Sequence, residues 1–144
     1  MRALIARYTL LVVLLAILAL IIEGDLFIVS PIVIAGQVAA IVLLVTARTA
    51  FRKQKFNFTA DPGEGPVVRR GPYRLLRHPM YSGALLFVWT SILGHWSILN
   101  GAIGAVVLVF ALLRISVEEQ LLREHYPDYA EYALRTKRIV PFIY

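Results

Sequence analysis

The chain has 144 residues, of which 59% are hydrophobic and 17% are charged, and its formal net charge is +6 at pH 7. Its mean hydropathy of +0.72 is too high for an ordinary soluble domain of this length, so the composition predicts an integral membrane protein. The sequence contains no cysteine, which excludes disulfides, a thiol nucleophile and thiolate metal sites.

The N-terminal third contains two apolar stretches. Residues 8–22 form a short run that residues 3–6 extend across Arg7, and residues 26–47 contain no charged side chain. A helix of about 20 apolar residues crosses a hydrocarbon core, so we predict two transmembrane helices within residues 1–50. A signal peptide is the alternative for residues 1–22, but "IIEGDLF" offers no small-x-small cleavage site.

Residues 51–78 form a basic loop. Eight of the 15 basic residues of the chain lie between positions 48 and 77, and such an excess is typical of a cytoplasmic loop. The charge alone would also fit an anionic lipid or a nucleic acid. The Gly- and Pro-containing stretch 56–66 is unlike a basic recognition helix, so we predict no nucleic-acid partner.

Residues 79–113 carry no Asp, Glu, Lys or Arg. As one helix they would be far longer than a membrane is thick, at about 1.5 Å per residue, so we predict a break within residues 94–101. The expected fold is an all-α membrane bundle of four transmembrane helices. Its parts are the two spans in 1–50, the loop 51–78, a helical hairpin at 79–116, and a cytoplasmic tail with short helices at 117–144. Both termini would then be cytoplasmic.

Polar residues gather just before the hairpin. They are Tyr73, Arg77, His78, Pro79, Tyr81 and Gly83. Pro79 suits the first turn of a helix, so the positive end of the helix dipole would lie beside Arg77 and His78. This pattern predicts an anion pocket, although a snorkelling Arg beside an interfacial His and Tyr would have the same spacing.

A second group follows the hairpin. Arg114 ends the last apolar stretch, and Glu118 and Glu119 come one turn later. Taken alone, these residues fit a plain i,i+4 ion pair, and the tyrosines at 126, 129 and 132 fit an interfacial stripe. The group gains significance because the hairpin would bring it beside the anion pocket, where both groups could face one ligand.

The motifs "GPYRLLRHPMYSG", "EEQLLREHYPDYAEY" and "RIVPFIY" resemble the isoprenylcysteine carboxyl methyltransferase family and the related phospholipid methyltransferases, over residues 66–142. The resemblance implies a membrane methyltransferase that uses S-adenosylmethionine, held between the last two spans and the C-terminal segment. It implies cofactor contacts from Tyr73, Arg77, His78, Pro79, Tyr81, Gly83, Glu118, Glu119 and Tyr129.

The residue types suit that cofactor. Arg77 and His78 are partners for its carboxylate, Glu118 or Glu119 for its ammonium group or ribose hydroxyls, and a tyrosine for its sulfonium. A carboxylate acceptor needs no deprotonation, so Arg114 would orient it, whereas an amine acceptor needs a base, for which Glu119 is the candidate. The histidines at 78, 95 and 125 are widely spaced, so no metal site is predicted.

We therefore predict methyl transfer to a lipidic or isoprenoid acceptor, with membrane lipids as the other partner. Two alternatives remain open. The chain could methylate a phospholipid or a small amine, or be a non-catalytic module that binds anionic lipid. A transporter is disfavoured because the predicted spans hold almost no ionisable residue apart from His95.

Overall fold

The computed structural model describes residues 2–24, 30–51 and 66–141. Within these ranges the fold is helical. The elements are α1 (Arg2–Ile22), α2 (Pro31–Ala50), a 3-10 turn (Gly71–Arg74), α3 (Pro79–Gly94), α4 (Ile98–His125) and α5 (Tyr129–Arg135). Much of the predicted basic loop, at 52–65, lies outside the described residues, as do residues 26–29 and 142–144.

The second predicted span is displaced toward the C-terminus. Helix α2 begins at Pro31, and Ser30 before it is extended, with φ −120° and ψ 130°. The predicted span, residues 26–47, included Ser30, and that part of the prediction is wrong. Ser30 is not helical, because a proline disfavours helical geometry in the residue before it. At the other end the helix continues to Ala50, whose carbonyl accepts a 2.7 Å hydrogen bond from Arg70 Nε.

The predicted break in the apolar segment 79–113 is confirmed. Helix α3 ends at Gly94, and α4 begins at Ile98 after the cap residue Ser97. Ser97 Oγ accepts from the Asn100 amide at 3.0 Å, and Asn100 Nδ2 donates to the His95 carbonyl at 3.1 Å. A serine cap and an asparagine side chain thus satisfy backbone groups that the break leaves exposed.

The helices pack in pairs, α2 on α3, α1 on α4, and α3 on α4. Small residues permit the closest approach between α2 and α3. A Cβ on Gly36 would lie 2.5 Å from Thr90 Cγ2, and one on Gly83 would lie 2.8 Å from Leu44 Cγ. Small residues at helix crossings are typical of packing in lipid, where dispersion contacts rather than water exclusion hold helices together.

The outer faces of the bundle are apolar. Leu18 and Val42, for example, are 50% and 55% exposed, and large exposed apolar surfaces of this kind mark contact with lipid or protein. Helices α2 and α4 are long and apolar enough to cross a membrane. Helix α3 has 16 residues, so it extends only about 24 Å at 1.5 Å per residue.

Candidate active site

Proline sets the start of α3. Pro79 lies in the first turn, where its missing amide hydrogen costs no helical bond. His78 precedes it with non-helical angles, φ −126° and ψ 55°, and is 5% exposed. The prediction that Pro79 begins the helix with His78 at its cap is confirmed, and the His78 side chain lies inside the protein.

The C-terminal segment crosses this helix start. The amides of Arg77 and His78 donate to the carbonyls of Lys137 and Arg138 at 2.7 and 3.0 Å, and the Lys137 amide donates to the Leu75 carbonyl at 2.9 Å. The result is an isolated parallel bridge. It brings the charged side chains of the tail against the residues that precede α3.

The Arg77 guanidinium joins α4 to the end of α5. Its Nε donates to Glu119 Oε1 at 2.7 Å, and one terminal nitrogen donates to the carbonyls of Ala133 and Thr136 at 2.6 and 2.7 Å. A guanidinium at a helix C-terminus satisfies carbonyls that lack a helical partner. Arg77 therefore engages protein groups here, and its predicted contact with a ligand anion stays a prediction.

Glu119 lies between two arginines. Besides the Arg77 contact, its Oε2 lies 3.2 Å from Arg138 Nε and 3.1 Å from Arg138 Nη2, and its side chain is 4% exposed. Two guanidinium groups compensate the cost of burying one carboxylate. Glu119 thus joins α4, the segment before α3 and the tail.

Glu118 has a different set of partners. Its Oε1 accepts from Tyr81 Oη at 2.6 Å and from Arg114 Nε at 3.0 Å. The Arg114 guanidinium also lies 5.9 Å from the Tyr81 ring centre, within the range of a cation–π contact. Arg114 is 9% exposed, and its contacts with Glu118 and Tyr81 help to hold this arginine at the end of the apolar part of α4.

His78 lies between the two carboxylates. Its Nδ1 is 3.7 Å from Glu118 Oε2, and its Nε2 is 3.5 Å from Glu119 Oε1. Neither approach is a good hydrogen bond at that distance. Nε2 is buried and has no hydrogen-bond partner within the described residues. Buried polar atoms are normally satisfied, and contact of this nitrogen with a bound ligand stays a prediction.

Two tyrosines of α5 form a buried aromatic wall beside these charges. Their ring centres are 5.8 Å apart. Burial raises the pKa of Tyr129, with a smaller contribution from Glu119, and burial raises the pKa of Tyr132 to about 12 although Arg77 acts against it. Both rings are therefore neutral near pH 7. Tyr132 Oη donates to the Tyr73 carbonyl at 2.8 Å, which ties α5 to the 3-10 turn.

Comparison with known proteins shows to which family the chain belongs. The family model described as phospholipid methyltransferase matches residues 31–129, which include the start of α3 and all of α4. The chain belongs to the phospholipid methyltransferase family. Family membership and the apolar helices together make it a membrane protein.

Curated proteins that are similar to this chain are named as methyltransferases. Protein-S-isoprenylcysteine O-methyltransferase A of Arabidopsis thaliana is 32% identical over 114 residues, which cover 77% of this chain and 56% of that protein. The probable enzyme of the same name from Oryza sativa subsp. indica is 34% identical over 113 residues, covering 77% and 58%. The resemblance to isoprenylcysteine carboxyl methyltransferases is thus confirmed, and the chain spans little more than half the length of these relatives.

A further relative has a different kind of name. The cobalt-zinc-cadmium resistance protein CzcN of Cupriavidus metallidurans is 40% identical over 80 residues, which cover 52% of this chain and 35% of that protein. In the described part of the phospholipid methyltransferase family member, no group of three or more His, Cys, Asp or Glu is placed to hold a metal ion. No solved structure matches the chain significantly.

The structure brings together most of the site residues predicted for this chain. Those in one connected group are Arg77, His78, Tyr81, Arg114, Glu118 and Glu119. Two other candidates face α2: Tyr73 packs edge-on against Phe51, and Gly83 lies against Leu44. For every predicted site residue, cofactor contact stays a prediction.

Sequence reasoning missed Arg138. It lies beyond the matched residues 31–129, yet it supplies a guanidinium to Glu119. The available signal was the basic residue that precedes "IVPFIY" at the end of the resemblance. Its partner was not predictable, because the return of the tail depends on long-range contacts such as the bridge between residues 76 and 137.

Proposed function

We propose that the chain is an S-adenosylmethionine-dependent membrane methyltransferase that transfers a methyl group to a lipidic or isoprenoid acceptor. The observation that carries this proposal is the convergence of His78, Glu118 and Arg114 at the ends of two apolar helices. The full activity of the longer relatives is part of the proposal, because the chain spans 56% to 58% of their length.

The residues present fit the cofactor by their chemistry. His78 Nε2 is a buried polar atom without a hydrogen-bond partner in the described part of the chain. Glu118 offers an acceptor, and Tyr81 and Tyr129 are aromatic side chains of the kind that can contact a sulfonium. When bound, S-adenosylmethionine supplies the electrophilic methyl group together with its own leaving group.

Arg114 would hold the methyl acceptor. It follows Leu113, which is 50% exposed on the lipid-facing side, while Arg114 itself is 9% exposed. An acceptor with its apolar part in the membrane could reach this guanidinium from the side. A planar guanidinium binds a carboxylate or phosphate through two parallel hydrogen bonds, so its role would be to orient the acceptor and stabilise charge.

A carboxylate acceptor is better supported than an amine. An amine must lose a proton, and the base predicted for that step was Glu119. Both Glu119 oxygens are engaged by arginines, which stabilise the ionised carboxylate and make it a weak proton acceptor. The family description names phospholipids, so methylation of a phospholipid amine is the second candidate, with Glu118 as the remaining nearby carboxylate.

The proposed topology has four spans, namely α1, α2, α3 and the apolar part of α4, with both termini and the site on the cytoplasmic side. It is supported by the excess of basic residues between positions 48 and 77. Single cysteines at His95 and Glu131, both exposed, test it in sealed vesicles. They should react with a membrane-impermeant maleimide from opposite sides, and reaction from one side would refute the hairpin topology.

The proposed activity is tested by two measurements on the purified chain in lipid nanodiscs. Calorimetric titration with S-adenosylmethionine and with S-adenosylhomocysteine should detect binding of both. Incubation with methyl-labelled cofactor and an added prenylated cysteine or amine-bearing phospholipid should then yield either a labelled methyl ester of the cysteine carboxylate or a labelled N-methyl phospholipid. Absence of cofactor binding would refute the enzyme and would favour a non-catalytic lipid-binding module, whereas the class of labelled product decides between the two acceptors.

A further inference from the structure

The two adjacent carboxylates on α4 have unequal surroundings. Glu119 has a side chain 4% exposed, with one oxygen bonded to Arg77 and the other to Arg138. Glu118 has a side chain 18% exposed, and both of its hydrogen bonds, from Tyr81 and Arg114, reach the same oxygen. Its second oxygen forms no hydrogen bond within the described residues, and His78 Nδ1 is 3.7 Å away.

The partners of Glu119 belong to the C-terminal segment or hold it in place. Arg138 is part of that segment, and Arg77 binds it with its side chain, through the carbonyls of Ala133 and Thr136, and with its backbone, through the Lys137 carbonyl. Glu119 therefore bonds to both sides of the contact between the tail and the start of α3.

We propose that Arg77, Glu119 and Arg138 form a clamp that positions residues 133–138 over the site, and that Glu118 is the carboxylate that accepts a hydrogen bond from the ligand. The part that concerns the ligand rests on the proposed function. The clamp residues are positioning residues, and they act by keeping the tail and the His78 backbone in place.

Electrostatics favours this division of roles. A ligand ammonium group or hydroxyl would have to displace the guanidinium of Arg77 or of Arg138 to bond to Glu119, and either displacement would break a charge-assisted hydrogen bond of the clamp. The free oxygen of Glu118 can accept a ligand donor while the bonds from Tyr81 and Arg114 stay in place. The donor on the cofactor would be its ammonium group or a ribose hydroxyl, since both are acceptable partners for a carboxylate.

The two glutamates are a matched pair for testing, because each can be changed to the isosteric amide. Hydrogen exchange of the ligand-free protein in nanodiscs should be followed at the amides of Arg77, His78 and Lys137, which form the bridge to the tail. Glu119→Gln should speed exchange there by about tenfold or more, since each clamp bond is charge-assisted. Glu118→Gln should leave it unchanged.

Arg138 provides a second variant in case Glu119→Gln fails to fold, because its side chain is 32% exposed. Arg138→Gln should also speed exchange of the tail amides, and Arg138→Lys should restore part of the protection. Combining Arg138→Gln with Glu119→Gln should add little to either alone, as expected for residues of one network.

Ligand binding tests the second part of the proposal. Glu118→Gln should lower affinity for S-adenosylhomocysteine by about tenfold or more. That loss should disappear for an analogue lacking either the α-amino group or one ribose hydroxyl, and the analogue that abolishes it identifies the donor. Glu119→Gln would displace the tail and would not remove a bond to one particular ligand group. Any loss of affinity in Glu119→Gln should therefore be the same for all analogues.

Unchanged exchange in both Glu119→Gln and Arg138→Gln would overturn the clamp. Parental affinity in Glu118→Gln, or a loss of equal size for every analogue, would overturn its role as ligand acceptor. If the parent protein binds no S-adenosylhomocysteine, the proposed function and the role of Glu118 both fail, while the exchange comparison still decides the clamp.

Discussion

The apolar bundle and its polar edge are stabilised in different ways. In the bundle, α2 and α3 approach through positions such as Gly36 and Gly83, and many weak dispersion contacts share the stability. At the edge, a few directional hydrogen bonds connect residues far apart in sequence, as between Arg77 and Thr136. Substitutions in the bundle should therefore change stability, whereas substitutions at the edge should change ligand binding or turnover.

The largest effect is expected at Arg114. Arg114→Ala should lower turnover by roughly 10² or more, because orienting the acceptor and stabilising charge are steps that act on the rate. Cofactor affinity should be largely retained. Arg114→Lys should recover little activity, since an ammonium group cannot reproduce two parallel hydrogen bonds. Labelled methyl transfer and calorimetric titration of each variant measure the two quantities.

Arg123 is the control for Arg114, since it lies in the last turn of the same helix and is exposed. Arg123→Ala should behave like the parent protein. Parental turnover in Arg114→Ala would reduce Arg114 to a helix-end anchor. Joint loss of cofactor binding and stability would instead make it a structural partner of Glu118.

A smaller effect is expected at His78. His78→Ala should weaken cofactor binding by about 1–3 kcal/mol, the usual range for removing a partner of a polar or charged group in a buried site. The helix should persist, because Pro79 rather than the imidazole sets its start. Calorimetric titration and circular dichroism check the two statements.

His125 is the matched control for His78, because it is exposed at the end of α4 and stacks only edge-on with Tyr126. His125→Ala should retain parental affinity. If His78→Ala also binds the cofactor normally, His78 is a buried structural residue without a ligand contact.

Gly83 tests whether a substitution in the apolar bundle changes stability rather than ligand binding. Gly83→Val should destabilise the protein by about 1–3 kcal/mol through overpacking, because an added Cβ would lie 2.8 Å from Leu44 Cγ and 3.2 Å from the Ala40 carbonyl. Ala105→Val, on an exposed position of α4, should have little effect. Denaturant unfolding in mixed micelles measures both. Lost cofactor binding with parental stability would instead support the ligand contact that the resemblance implied.

The bundle was easier to predict than the edge. The uncharged stretch 79–113 and the turn residues near Gly94 and Asn100 predicted the break, since helix length and turn preference are local properties. The same reasoning missed the exact start of α2, where Pro31 takes precedence over hydrophobicity.

At the edge, residue types and the family resemblance indicated which side chains take part, but not their partners. Arg77 was expected to face an anion, and the structure directs it to Glu119 and to α5. That arrangement depends on the return of the tail at residue 137. Such a contact joins positions about 60 residues apart, and no local periodicity encodes it.

The smallest effect is expected at a polar contact inside the bundle. Gln37 Nε2 donates to Ser91 Oγ at 3.0 Å between α2 and α3, and Ser91 Oγ donates to the Phe87 carbonyl of its own helix at 3.0 Å. Ser91→Ala should destabilise the protein by about 0.5–1.5 kcal/mol, because hydrogen bonds between membrane helices average about 0.6 kcal/mol and rarely exceed 1.7.

Ser116→Ala is the control for Ser91→Ala, since within the described residues Ser116 Oγ donates only to the Leu112 carbonyl one turn earlier on an exposed face. Its effect should be close to zero. A double-mutant cycle of Ser91→Ala with Gln37→Leu isolates the contact between the helices. A coupling energy near zero would mean that this hydrogen bond adds nothing to the close packing of α2 on α3. A coupling above about 3 kcal/mol would exceed what such bonds contribute in lipid. The bundle would then also be stabilised by a strong directional hydrogen bond, like those at the polar edge.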